Sequence, residues 1–148
     1  MVNASISGET TSGALSHLDS TLQEHSPAVV IVELGANDGL RGLSLKRMED
    51  NLATLIERCR GGGARVLLIG MRLPPNYGPR YTAAFARAFR TLARRYHTAF
   101  VPFLLEGFAA DMKVFQDDGL HPTAAAQPAI LDNVWPALEP LLGRPAAQ

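Results

Sequence analysis

The sequence predicts an α/β domain built on an open, mostly parallel sheet, and three observations carry that expectation. Three short apolar runs, 28–34, 64–70 and 99–104, have the β-branched form of strands buried on both faces, and the first two are closed by glycine. Segments with apolar residues at helical spacing separate them. The connections are short, so the right-handed crossover rule turns β-α-β-α-β into a doubly wound sheet.

Each element follows from its own residues. Thr11 to about His25 carries Leu15, Leu18 and Leu22 at helical spacing. Val29–Leu34 should then lie inside the sheet. A helix from about Leu45 to Arg60 places Met48, Leu52, Leu55, Ile56 and Cys59 on one face, and Gly61-Gly62-Gly63 stops it. Cys59 is the single cysteine, which excludes an intramolecular disulfide, and in that register it reads as a small buried apolar residue. The triple glycine reads as a cap and turn rather than a phosphate cradle. From about Pro79 to Tyr96, Tyr81, Phe85, Phe89, Leu92 and Tyr96 form a core-facing stripe. A last helix, about Thr123 to Leu142, carries Ile130, Val134, Leu138 and Leu141, and Pro136 should kink it or end it early.

Composition narrows the class of partner. The 148 residues suit one domain, with 47% hydrophobic and 19% charged residues. Fourteen basic and fourteen acidic residues cancel, so there is no electrostatic reason to expect nucleic acid or an anionic membrane. No apolar run approaches the ~20 residues of a membrane span, and Met1-Val2-Asn3-Ala4-Ser5 lacks the basic flank and apolar core of a signal peptide. A small molecule is the expected partner, and as written the chain carries no targeting signal.

In doubly wound sheets ligands bind beyond the carboxyl ends of the strands. The loops there hold the unusual residues. Asp117-Asp118-Gly119-Leu120-His121-Pro122 sets a carboxylate three residues before a histidine on a tight turn. A histidine works as a general base when a carboxylate fixes its tautomer and stabilises the imidazolium, and Asp118 is placed to do both for His121. Ser7-Gly8-Glu9-Thr10-Thr11 reads first as a strand-to-helix turn with Thr10 or Thr11 as N-cap, and its glycine N–H can be aimed across the sheet edge. Gly35-Ala36-Asn37-Asp38-Gly39 alone reads as a common turn, and Leu73-Pro74-Pro75-Asn76-Tyr77-Gly78 either turns or lines a pocket. Together, a backbone N–H, an amide side chain and an Asp/His pair at one edge make an oxyanion hole and a base. Metal is the competing use of Asp117, Asp118 and His121. No second histidine stands at ligand spacing, and His17, His25 and His97 fall in or beside helices, so no metal is expected.

Four blocks, Asn3 to Thr10, Val32 to Gly42, Arg72 to Gly78 and Gln116 to Pro122, occur in an order that closely resembles the SGNH, or GDSL, hydrolases. The nearest type is the bacterial thioesterase I/lysophospholipase, or arylesterase, and the match runs from residue 2 to about residue 142. The resemblance implies a three-layer α/β/α flavodoxin-like sandwich and hydrolysis of acyl esters or thioesters through an acyl-serine, with no cofactor. It also implies roles. Gly8 would donate its N–H and Asn37 its amide to the oxyanion, His121 would be the base and Asp118 its orienter. The segment from Asp38 through Gly39 and Leu40 to Gly42 would form a mobile loop over the acyl site, with Tyr77 nearby. Such proteins are usually periplasmic or secreted; this chain would be cytoplasmic if its start is real.

One departure stands out: no Gly-Asp-Ser, the block that carries the family's nucleophile, occurs in the chain. That serine also supplies an oxyanion N–H, so the chain as written is expected to be inactive. Met1 precedes Val2-Asn3 where relatives typically carry another valine, which suggests residues 1–148 as a single, N-terminally truncated domain. Without the first strand, Val29–Leu34 would have an open edge and Val2–Ile6 no sheet neighbour. A non-catalytic remnant acting as a binding module is the alternative, and Ser5 or Ser7 as a substitute nucleophile a third reading.

Overall fold

The computed structural model describes residues 1–143 and contains the alternation read from the sequence. The elements are α1 (Thr11–His25), β1 (Val29–Val32), α2 (Ala36–Leu40), α3 (Leu45–Gly61), β2 (Arg65–Ile69), α4 (Pro79–Tyr96), β3 (Ala99–Val101) and α5 (Gln127–Leu142). Short 3₁₀ turns occupy Pro75–Tyr77, Met112–Val114 and Ala124–Ala126. The strands run parallel in the order β1-β2-β3, with Val29 opposite Arg65 and Leu67 opposite Ala99.

Side-chain alternation along β2 builds the layers. Val66 and Leu68 join Met48, Leu52, Ile56, Phe85 and Phe89 in the larger core, under α1, α3 and α4. Leu67 and Ile69 face the other way and, with Val101, meet Val134, Ile130 and Leu138 of α5. The result is a three-layer α/β/α arrangement. Phe85 and Phe89 meet edge to face, 5.2 Å between centroids, and both are fully buried. Cys59 lies in this core, where burial pushes its thiol up to about 11.

Helix ends follow local chemistry. Thr10 caps α1 by accepting the Gly13 N–H, Ser44 caps α3 by accepting that of Arg47, and Pro79 opens α4 with φ already set. His97 ends α4 in the left-handed region at φ 48°, beside a helix as its position in the sequence suggests.

β1 lies at the edge, not inside the sheet as its apolar run alone suggests, and this is the open edge expected without the first strand; Ile31 is 45% exposed while Val32 is buried. The cause is that α5 seats on β2 and β3, and among the described residues no strand pairs with the outer side of β1. Val2 and Ile6 are likewise exposed and in no strand. β3 stops at Val101, three residues short of the apolar run, where Pro102 offers no N–H to extend the ladder. Finally, α5 continues through Pro136 and Pro140 to Leu142. The apolar seat of Ile130, Val134, Leu138 and Leu141 on the sheet outweighs the backbone bonds those prolines remove.

Gly70 ties the ends of β2 and β3 together where the site loops leave the sheet. Its N–H donates to Val101 O at 2.7 Å, and a Cβ there would lie 2.5 Å from the Pro102 carbonyl oxygen. Gly70→Ala should therefore destabilise the protein by about 1–3 kcal/mol in urea denaturation. Gly61→Ala, whose added Cβ would meet nothing within 4 Å, should be neutral or stabilising by up to about 1 kcal/mol. Equal midpoints for the two variants would refute this account of the strand ends.

Candidate active site

The first half of the site is a turn held by a helix. Glu9 N–H donates to Ile6 O at 3.2 Å, closing a turn in which Gly8 takes φ +74°, a conformation that suits a residue without Cβ. Among the described residues the Gly8 N–H has no acceptor. Across from it, Asn37 on α2 donates its side-chain amide to Glu9 O at 2.9 Å. An amide nitrogen carries two hydrogens, so one remains for a ligand. Arg41, at the end of α2, donates to Gly8 O at 2.9 Å.

Asp38 and Gly39 are not presented on an open loop. Residues 36–40 form a helical turn, and Asp38 and Gly39 are buried. Asp38 accepts the Thr11 N–H at 2.9 Å and the Thr11 hydroxyl at 2.6 Å, and Asn51 donates to that hydroxyl oxygen at 3.0 Å. Gly39 is packed too closely for a side chain: a Cβ would sit 2.6 Å from Phe85 and 2.8 Å from Leu73. Leu40 and Tyr77 are brought together, the Tyr77 hydroxyl donating to Leu40 O at 2.9 Å. Tyr81 adds bonds to Gly39 O and Leu43 O, both at 3.3 Å. Residues 36–40 thus form a turn tied by hydrogen bonds from Thr11, Tyr77 and Tyr81.

The second half is local to residues 115–122. Asp118 Oδ1 accepts the N–H groups of Leu120 at 2.8 Å and His121 at 2.9 Å. Its Oδ2 meets His121 Nδ1 at 2.6 Å. A backbone bridge between Phe115 and Pro122 and a bond from Gln116 N–H to His121 O close the loop around them. The hydrogen bond from the His121 ring, then those from the two N–H groups, hold the Asp118 carboxyl down at about 2. With Nδ1 bonded to the carboxylate and the imidazole 69% exposed, Nε2 faces outward.

The two halves have separate hydrogen-bond networks among the described residues. Glu33, just past β1, has its carboxyl raised by desolvation from surrounding protein, with the charge of His121 pulling the other way. No hydrogen bond joins Asp118 or His121 to Gly8 or Asn37 among the described residues, nor Ser5 or Ser7 to His121. No group of three or more His, Cys, Asp and Glu side chains converges for a metal among those residues. The Thr11–Asp38–Asn51 network and the Arg41 bond went unread in the sequence, because their partners lie 27 to 40 residues apart.

The GDSL-like Lipase/Acylhydrolase family model matches residues 1–128. The chain is 52% identical over 142 residues to "Esterase TesA" of Pseudomonas aeruginosa, covering 96% of this chain and 71% of that protein. It is 41% identical over 142 residues to "Thioesterase 1/protease 1/lysophospholipase L1" of Escherichia coli K12, covering 96% and 68%. A crystal structure of TesA superposes with a TM-score of 0.91 at 52% identity, over 95% of this chain and 78% of that one.

Two consequences of this geometry can be measured. Because the folded Asp118 value lies below the usual ~3.9, its stabilising bonds are fully present above about pH 4 and are lost as pH falls through about 2. Carboxyl ¹³C NMR should give a midpoint near 2, and a midpoint near 4 would contradict the bonded turn. Asp38→Ala strands the buried Thr11 donors and should cost roughly 1–3 kcal/mol in urea denaturation. Asp38→Asn, which keeps one acceptor, should cost less.

Proposed function

Because the chain belongs to the GDSL-like lipase/acylhydrolase family, we propose that its site serves hydrolysis of carboxylic esters and thioesters through an acyl-serine, with His121 as general base. The observation that carries this reading is the 2.6 Å contact of His121 Nδ1 with an Asp118 carboxylate itself fixed by two N–H groups. That arrangement fixes one tautomer and leaves Nε2 to take a proton. Asp118 stays ionised at any working pH, so it stabilises the imidazolium as it forms.

In this reading a serine hydroxyl gives its proton to Nε2 as its oxygen attacks the acyl carbon. The resulting oxyanion accepts the Gly8 N–H and the second Asn37 N–H. Collapse expels the alcohol or thiol, which takes the proton from His121, and water repeats the sequence to release the acid. No metal or cofactor enters the scheme. Leu40, held by Tyr77, flanks the acyl group, while Asp38 and Gly39 serve it from behind by fastening α2. Acyl thioesters, lysophospholipids and aryl or short-to-medium acyl esters are the proposed substrates.

The 148 residues contain no Gly-Asp-Ser, so they supply neither the nucleophile nor its oxyanion N–H. Lack of such a serine costs ~10⁶ in turnover, and these residues alone should show little or no hydrolysis. Extending the chain at its N-terminus by a strand ending in Gly-Asp-Ser should produce hydrolysis of p-nitrophenyl esters. In that protein His121→Ala should abolish turnover, and Asn37→Ala should lower kcat by roughly 10²–10³. Undiminished turnover in His121→Ala would remove the base assignment. A folded extended protein without activity would favour a non-catalytic binding module.

A further inference from the structure

The Gly8–Glu9 peptide is anchored at both ends by different parts of the fold. Its N–H donates to Ile6 O at 3.2 Å, and its carbonyl accepts from Arg41 Nη2 at 2.9 Å. The next carbonyl, Glu9 O, accepts from Asn37 at 2.9 Å. Asn37 and Arg41 stand one helical turn apart on α2, so they grip consecutive carbonyls from one face. With the Gly8–Glu9 plane fixed, the aim of the Gly8 N–H depends on the Gly8 ψ torsion and on its φ torsion. The φ torsion is held at +74° in a residue that otherwise passes readily between positive and negative φ.

We propose that Arg41 is a positioning residue: by holding Gly8 O it keeps the Gly8 N–H aimed at the oxyanion. The role deepens the esterase reading and rests on Gly8 being the oxyanion donor. The guanidinium suits the task because it makes a stronger hydrogen bond to a carbonyl than a neutral donor does. Arg41 itself never touches the substrate in this scheme. Its effect is on the geometry of a donor, and misplacement of such a group by about 1 Å can cost ~10²-fold in rate.

Two measurements test this separately. In the 148-residue chain, Arg41→Met keeps the length of the side chain and removes its donors. Amide hydrogen exchange at Glu9 should quicken at least tenfold, with the urea midpoint and the exchange of α3 and α4 unchanged. In the Gly-Asp-Ser-extended protein, Arg41→Met should lower kcat roughly 10- to 100-fold with KM within about twofold, and Arg41→Lys should recover part of the loss. Unchanged exchange at Glu9 overturns the clamp whatever the activity shows. Quickened exchange with an unchanged kcat overturns the positioning role. If the extended protein is inert, or Asn37→Ala keeps full kcat, the esterase reading of the site fails, and the positioning role fails with it. The Glu9 exchange still shows whether Arg41 holds the turn.

Discussion

A buried carboxylate with no ion pair among the described residues is the joint on which this structure turns. Asp38 lies in the interior, and both of its oxygens are taken by Thr11, through the backbone N–H and the hydroxyl. A charge out of water costs several kcal/mol unless it is compensated, and here the compensation is two hydrogen bonds plus the N-terminus of α1. Asn51 completes the arrangement by donating to the Thr11 hydroxyl from α3. One side chain thereby fixes α1, α2 and α3 relative to one another. Because Gly8 precedes α1 and Asn37 lies on α2, the spacing between the two proposed oxyanion donors is a consequence of that joint.

The other half of the site is built on opposite terms. Asp118 makes its three bonds within three residues of itself, on a turn open to solvent. Such a turn needs little from the core to keep its internal geometry. What it needs from the fold is position, and that comes from the connection between β3 and α5, with Asn133 donating to Leu104 O and Glu106 O. The proposed donor pair is thus set by buried, long-range contacts and the proposed base by local ones. Disturbing the core shifts the first against the second without altering the second's own bonds.

This division also decides what could be read in the sequence. α1 and α4 have the bounds that apolar spacing and end signals indicate, and the Asp118/His121 pair was legible because its partners are three residues apart. Cys59 follows its helical register into the core. α2 was not legible, since Asn-Asp-Gly has the composition of a turn and five residues are too few for periodicity. The burial of Asp38 left no local trace either, because its partner stands 27 residues away and an Asp beside a Gly ordinarily marks a surface bend. The edge position of β1 was not legible in hydrophobicity, since four β-branched residues say that a strand forms, not how many neighbours it has; it followed from the absent first block.

Packing behind α2 explains why the site's rigid half tolerates no looseness. Gly35 at φ +107° brings the backbone against Met48 and Phe89, and Gly39 brings it against Phe85 and Leu73. Two glycines one turn apart let α2 sink until Asp38 reaches Thr11, while Asn37 and Arg41 stay outside to hold the Gly8 turn. A side chain at either glycine would lift α2 and draw the buried carboxylate and the Asn37 and Arg41 donors outward together. The aromatic stripe of α4, which has no chemistry of its own, therefore sets the depth at which the proposed oxyanion donors sit.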